Sequence, residues 1–466
     1  MTGILKPVTA LLMATAIVMA GHGVLVMLVP LKASAYEFSS LSVGLMGSGY
    51  FAGLVIGCIF APAIIGKVGH IRAFSAFTAC VTVTPLAHTL LADPVSWTAL
   101  RLLQGLCCAG LWLVIESWLN AASDTETRGR VLGAYTLIQL ALQTVGMQLV
   151  GVIDIDGTAL FTIAAILYSL SALPIALTAT IAPAPPKRNE LRLTWLFRVS
   201  PAATLAAGLT GFATGSFWIL APLYAKSAGL SSGGSAGFVA AALLAGAVTQ
   251  WPIGSLSDRY GRRPAMSAAA TVAMFASLAL GLMGNPSLAT VFACASLFGA
   301  ASFPIYTLAI AHANDLVPKR RAVVVSSGLL FVYSIGAAAG PLVASTIVEW
   351  LGFAALFTTI SVACALIISV TMLRITIHPR TRSRHHEDFV MVPRTTPAVF
   401  DLDPRTDEAS AIEIEPHSFT EPLHAPVPEV IAPDGRLPDT GLVDDPQPEE
   451  DRQPEMVGGV PGRPAG

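Results

Sequence analysis

Residues 254–264 read GSLSDRYGRRP, and they lie between two long apolar runs. Asp258, Arg259, Arg262 and Arg263 fall within this stretch. Charges this dense do not sit in hydrocarbon, so the stretch is a tight, water-facing connection between membrane helices. Gly254 allows close helix approach, and Gly261 punctuates the turn.

Outward from this stretch, the chain is mostly apolar. It has 466 residues, 54% hydrophobic and only 12% charged. A soluble domain carries about 25% charged residues, so this composition marks an integral membrane protein. Twelve apolar spans of bilayer-crossing length are expected, near 8–30, 43–65, 71–91, 97–119, 131–151, 158–181, 201–224, 236–256, 265–284, 287–311, 322–345 and 352–374. The first has Lys6 ahead of it and Ala33-Ser34-Ala35 after it, which mimics a signal peptide. It is too long for a signal core and reads as the first transmembrane helix.

The formal net charge of -2 conceals two regions of opposite sign. Residues 1–374 hold 19 Lys/Arg against 11 Asp/Glu, and residues 375–466 hold 8 against 18. Between the spans, alternate connections carry fourteen Lys/Arg, while the opposite set carries only Lys32 and Lys226. The positive-inside rule then predicts both termini in the cytoplasm of a multi-pass plasma-membrane protein. Residues 375–466 contain 15 of the 32 prolines and no apolar run long enough to pack, so a disordered acidic tail is expected. Such a tail is either inert or a site for a partner, and Arg380, Arg382 and Arg384 suit anionic headgroups. The six cysteines lie in apolar spans without metal spacing and read as buried free thiols.

The two halves of the membrane body repeat. At an offset of 192, Gly23 meets Gly215, Pro30 meets Pro222 and Gly69 meets Gly261. At an offset of 194, Gly105 meets Gly299 and Asn120 meets Asn314. Small residues and prolines set helix contacts and bends, so the register argues for duplicated six-helix halves.

Two charged residues lie within spans, Arg101 and Glu116, both on the fourth. Intramembrane charges are costly and therefore functional candidates. Fifteen residues separate them, about 22 Å along a helix, so they do not pair with each other. Glu116 is the single acid in the spans. It reads either as a protonation switch or as a gate residue paired with Arg128, Arg130 or Lys67. Arg101 reads either as a cavity cation or as a side chain snorkelling to water. Further polar candidates are His22, Gln139, Gln143, His88 and His312. Tyr135, Gln139 and Gln143 recur every four residues and share one helix face. Trp112, Trp218, Tyr306 and Trp251 are candidates for an aromatic pocket, and equally for helix packing.

GSLSDRYGRRP closely resembles the G-x-L-x-D-R-x-G-R-R loop signature of the major facilitator superfamily (MFS), with Gly254, Leu256, Asp258, Arg259, Gly261, Arg262 and Arg263 matching. The resemblance implies an all-α membrane fold of twelve transmembrane helices in two pseudo-symmetric six-helix bundles. It divides the chain into 1–181, a cytoplasmic loop 182–200, 201–374 and the tail 375–466. In that family the loop clamps helix ends in one state of the transport cycle. By resemblance, Asp258 would cap a helix or pair across the half-interface in the outward-open state, and Arg259, Arg262 and Arg263 would pair with Asp315 and helix ends. RLLQGLCCAG, from Arg101, is similar to the R-x-x-Q-G-x-x-x-A motif of proton-coupled members, with Arg101, Gln104, Gly105 and Ala109 matching.

The match has departures. The first-half loop, PAIIGKVGHIR from Pro62 to Arg72, has Gly66 where the acid belongs. Helix five reads VGMQ at 145–148, without the Gly-Pro of drug–proton antiporters, whereas helix eleven carries Gly336, Gly340 and Pro341. KVGHIRAF (67–74), ESWLN (116–120), RGRV (128–131) and AHANDLVPKR (311–320) resemble the YcaD-like branch of bacterial MFS permeases. The expectation is a secondary transporter of a small molecule, working by alternating access and coupled to protons, with no cofactor, metal or nucleic-acid partner. A membrane sensor or scaffold acting through the tail, and a polytopic membrane enzyme, are the alternatives. No phosphate-binding loop is present in the sequence.

Overall fold

The computed structural model describes residues 2–178, 192–284, 287–318, 321–377 and 393–402. Most of the central loop 182–200 and most of the tail, including Arg380, Arg382 and Arg384, lie outside the described residues. Among the described residues, twelve helices are long and apolar enough to cross a membrane. They are α1 (Val8–Ala35), α2 (Ser40–Val68), α3 (His70–Leu90), α4 (Pro94–Ala121), α5 (Thr127–Val152), α6 (Ala159–Ala176), α7 (Pro201–Ser227), α8 (Ser232–Tyr260), α9 (Arg262–Leu282), α10 (Leu288–Asn314), α11 (Ala322–Leu351) and α12 (Ala354–Ile377). A short helix, Leu193–Val199, precedes α7.

The second six helices pack as the first six do. In the first half α1 packs on α5 and α6, α4 on α2 and α3, and α3 on α6. In the second, α7 packs on α11 and α12, α10 on α8 and α9, and α9 on α12. The caps repeat as well. Ser39 accepts from the Ser42 amide at 3.1 Å, and Ser231 from the Gly234 amide at 3.1 Å. Asp93 accepts from the Ser96 amide at 2.8 Å, and Ser287 from the Thr290 amide at 3.2 Å. Each side-chain oxygen satisfies an amide that its helix leaves without a partner.

The glycine pair Gly105 and Gly299 shows why the repeat is written in small residues. A Cβ on Gly105 would collide with the Tyr50 carbonyl oxygen of α2, and one on Gly299 with the Ala242 carbonyl oxygen of α8. These backbones touch, and with no water or lipid between them the contact is pure close packing.

The charged connection around Asp258–Arg263 is shorter than hydropathy suggests. Helix continues to Tyr260 and resumes at Arg262, so the turn is Gly261 alone. Gly69 does the same between α2 and α3. Their φ values of 98° and 81° are strained for other residues, so glycine makes a one-residue turn possible. Hydropathy marks where lipid contact ends, whereas hydrogen bonding carries the helix into the charged region.

The two halves meet most tightly at the end bearing the Ser39 and Ser231 caps. There α2 lies on α11, and α5 on α8. A Cβ on Gly44 would collide with Ser345, and one on Gly151 would lie 2.6 Å from the Gly233 Cα. The Leu41 amide donates to Glu349 Oε2 at 3.3 Å.

At the opposite end, residues 393–402 lie against the helices. Pro397–Leu402 forms a 3₁₀ turn that contacts α4, α5 and α11. Ala398, Val399, Phe400 and Leu402 are buried there. The sequence places these ten residues in a disordered tail because they cannot build a core, but they use the core of the bundle instead. The cysteines also differ from expectation: Cys107, Cys108 and Cys364 are buried, Cys58 and Cys294 are half-buried, and Cys80 is exposed.

Candidate functional site

Arg101, Gln104, Trp112 and Glu116 follow one another at three-, eight- and four-residue steps along α4, which puts them on one helix face. That face borders a central cavity of about 210 Å³ between the halves. Met19, His22, Arg101 and Trp112 line it from the first half, and Trp218, Gln250, Phe303 and Tyr333 from the second. Gln139 and Gln143 of α5 also reach it. The structure therefore brings together His22, Arg101, Trp112, Gln139, Gln143 and Trp218 from the sequence candidates.

Arg101 closes one pole of this site. It is 2% exposed, so it does not snorkel outward. Its Nη1 donates to Gln104 Oε1 at 2.6 Å, and its guanidinium lies 4.5 Å from the centre of the Tyr50 ring. Gln104 Nε2 in turn donates to the Tyr168 hydroxyl at 3.3 Å. His22 stacks on Tyr50 and meets Trp112 edge-on, each at 5.7 Å between ring centres. A cation held by a planar ring and an amide oxygen is oriented without being neutralised.

Glu116 lies on the same α4 face but outside the cavity wall itself, and Thr395, which lines the cavity, reaches it. It is fully buried, and Tyr135 donates its hydroxyl to Oε1 at 2.8 Å. Thr395 and Thr396 also donate to it, one to each carboxylate oxygen. The partners are hydroxyls, not Arg128, Arg130 or Lys67. Such donors stabilise a buried carboxylate yet can rotate away.

Buried polar atoms of the cavity wall point to a polar occupant. Among the described residues, His22 Nδ1, Trp112 Nε1 and Gln139 Nε2 are buried without a hydrogen-bond partner. Each such atom costs free energy unless something polar satisfies it. Tyr306 is absent from the cavity wall but stands behind it, its ring 4.8 Å from that of Tyr333. Trp251 is 74% exposed on the outer surface of α8 and takes no part.

The charged turn sits at the glycine-turn end, away from the cavity. Gly254 is buried within α8. Arg262 pairs with Asp258 one turn earlier, donates to Ser257 Oγ at 2.7 Å, and reaches Asp315 Oδ2 at 3.3 Å. It thereby ties α8, α9 and the end of α10. Arg263 Nε donates to His312 Nε2 at 3.2 Å, and its Nη1 to the Arg374 carbonyl at 3.3 Å. Arg259 lies over its neighbour Tyr260 at 5.6 Å. These contacts stay within the second half, and Asp258 meets Arg262 of that same half.

Outside the membrane helices, Asp401 is pushed up to about 6 by burial, an effect that nearby Arg128 opposes. Sequence reasoning missed Tyr50, Gln250, Phe303, Tyr333 and the triplet Arg394–Thr396. Gln250 is a lone amide in an apolar span and was legible on that ground. The aromatics resemble ordinary span residues. Among the described residues, no group of three or more His, Cys, Asp or Glu side chains could hold a metal ion.

Comparison with known proteins agrees with the architecture. The family described as Major Facilitator Superfamily matches residues 11–327 and 203–424. An uncharacterized MFS-type transporter of Enterobacter sp. (strain 638) is 28% identical over 72% of this chain and 87% of its own length. The MFS-type transporter YcaD of Escherichia fergusonii is 28% identical over the same shares. Among solved structures, the nucleoside transporter NupG is 14% identical with a TM-score of 0.67, over 81% of this chain and all of its own. A bacterial homolog of the human lysosomal transporter Spinster, inward-facing and occupied, is 14% identical with a TM-score of 0.65, over 79% of this chain and 95% of its own. The structural likenesses speak to fold alone. With twelve spans and bacterial MFS relatives, the protein is a multi-pass inner-membrane protein. The chain belongs to the Major Facilitator Superfamily and is a secondary membrane transporter, not an enzyme.

Proposed function

We propose that this protein moves a small polar molecule across the membrane by alternating access, with Glu116 carrying the coupled proton. The observation that supports this most is the central cavity, walled by both halves and closed by helix contacts at one end. A ligand there touches both bundles, so rocking one against the other changes which side it meets. The positive-inside distribution supports placing the glycine-turn end, and both termini, in the cytoplasm. The arrangement is then inward-facing, with residues 393–402 at its cytoplasmic mouth.

Glu116 suits proton coupling because its partners are hydroxyls that donate, and no described cation neutralises it. A carboxylate held this way can accept a proton once those donors turn aside. Arg101, at the far pole, supplies fixed positive charge and keeps the cavity polar. The Arg262 cluster supports a gating role, because it joins three helix ends of the second half at the glycine-turn end. The test is a solute-uptake screen in everted and right-side-out vesicles. A solute accumulated against its gradient, and released when the proton gradient collapses, is expected. Accumulation indifferent to every ion gradient would contradict the reading.

A further inference from the structure

The tail residues at the cavity are bound as a ligand is bound. The Arg394 guanidinium lies 5.7 Å from the ring centre of Phe303, 5.3 Å from that of Tyr306 and 5.3 Å from that of Tyr333. Its Nη1 donates to the Tyr333 hydroxyl at 3.3 Å, and its Nη2 to the Phe303 carbonyl. Three rings and a carbonyl around one cation form an aromatic cage, and rings attract cations most when water is excluded. The Tyr306 hydroxyl, buried in that cage, has no hydrogen-bond partner among the described residues.

The two following residues bind the other half. Thr395 and Thr396 donate to Glu116 on α4, while the cage belongs to α10 and α11. The segment thus places a cation on one bundle and hydroxyl donors on the other. At the pole the segment occupies, carboxylate and cage are complementary to a positive, donor-rich group, whereas Arg101 and the unpartnered Trp112 and Gln139 nitrogens lie elsewhere on the cavity wall and suit an acceptor on the same molecule. About 210 Å³ of cavity continues beyond Pro393, Arg394 and Thr395, toward His22 and Gln139.

We propose that this cavity takes an organic cation, a guanidinium or ammonium bearing hydroxyl or amide donors, and that residues 393–402 occupy it as a tethered ligand. The inference names a substrate class for the transport site and so rests on the transporter reading. It carries a consequence for control: the free cation and the tail compete for the same cage and the same carboxylate. Transport therefore requires the segment to leave, and a high concentration of substrate displaces it.

The test uses the full chain in lipid nanodiscs and two synthetic peptides. One copies residues 393–402, PRTTPAVFDL. The other carries citrulline in place of arginine, which keeps the shape and removes the charge. The receptor is the wild-type protein or a full-length variant with Arg394→Gln and Phe400→Asp, which frees the site without touching the membrane helices. The peptide is expected to bind the variant at least about tenfold more tightly than the wild type, because the tethered segment no longer competes. The citrulline peptide is expected to bind at least about tenfold more weakly than the arginine peptide. Equal binding of the two peptides, or no binding of either to the variant, would overturn the proposal. Binding is read at equilibrium without a gradient. A protein that transports but ignores the peptides therefore refutes this inference alone, and one that binds them but moves no solute refutes the transporter reading alone.

Discussion

The Tyr135 hydroxyl donates to Glu116 Oε1 at 2.8 Å, joining α5 to α4 within the first half. Tyr135 shares its helix face with Gln139 and Gln143, which line the cavity, so the bond links the carboxylate to the cavity wall. A hydrogen bond to a charged group contributes about 1.5–3 kcal/mol. Tyr135→Phe is expected to lower proton-coupled uptake by about tenfold or more while leaving the protein folded. Initial rates in vesicles, with thermal unfolding as a control, check this.

Docking of residues 393–402 should depend on pH through Asp401. Its carboxyl ordinarily titrates at 3.8 and is pushed to about 6 when docked. The docked state thus holds the proton more tightly, and docking is strongest below pH 3.8. It weakens as pH rises from that value to about 6, then stays at the weaker level. Arg128 faces Asp401 from α5, and Glu116 of α4 accepts from Thr396 of the same segment. Hydrogen exchange of amides 396–402, corrected for intrinsic rates, should show the change. Asp401→Asn should flatten it across that window.

The glycine contacts predict opposite outcomes at two sites. Gly105→Val drives a side chain into the α2 backbone, where nothing flexible can yield. A loss of about 3 kcal/mol or more is expected, seen as a lower Tm or failure to purify as a monodisperse species. Gly133, on α5, has open space where a Cβ would stand. Gly133→Ala should raise stability by up to about 1 kcal/mol through helix propensity.

Arg262 holds Asp258 and Asp315 together, so removing one acid should alter the balance between conformations. Asp258→Asn is expected to change, several-fold, the labelling rates of a cysteine placed at Gln250 by membrane-impermeant maleimide added from each side. An unchanged ratio of the two rates would count against a gating role.

Much of this architecture is legible in the residues themselves. Apolar span length gives the twelve helices, and the charged run at Asp258–Arg263 gives the family resemblance. Gly23, Gly105 and their partners disclose the repeat, since backbone contact admits no side chain. The one-residue turns at Gly69 and Gly261 are less legible, because hydropathy reports solvent and not hydrogen bonding. At the site, Arg101 and Glu116 stand out as charges within apolar runs. Phe303 and Tyr333 do not, because aromatics are ordinary in membrane helices. Docking of Arg394 is hidden for a different reason. A ten-residue segment can be ordered by a surface it does not encode, and its proline-rich neighbours mask the apolar Val399, Phe400 and Leu402.

The most direct test of the account is substrate-driven proton flux in proteoliposomes, comparing wild type with Glu116→Gln. A solute found in the vesicle screen is added outside, and a pH-sensitive dye reports protons inside. The account predicts solute-driven proton movement in the wild type. It predicts that Glu116→Gln, assayed at solute concentrations raised to offset the lost carboxylate contact, still exchanges labelled for unlabelled solute but moves no protons with it. Undiminished proton flux in Glu116→Gln would contradict it.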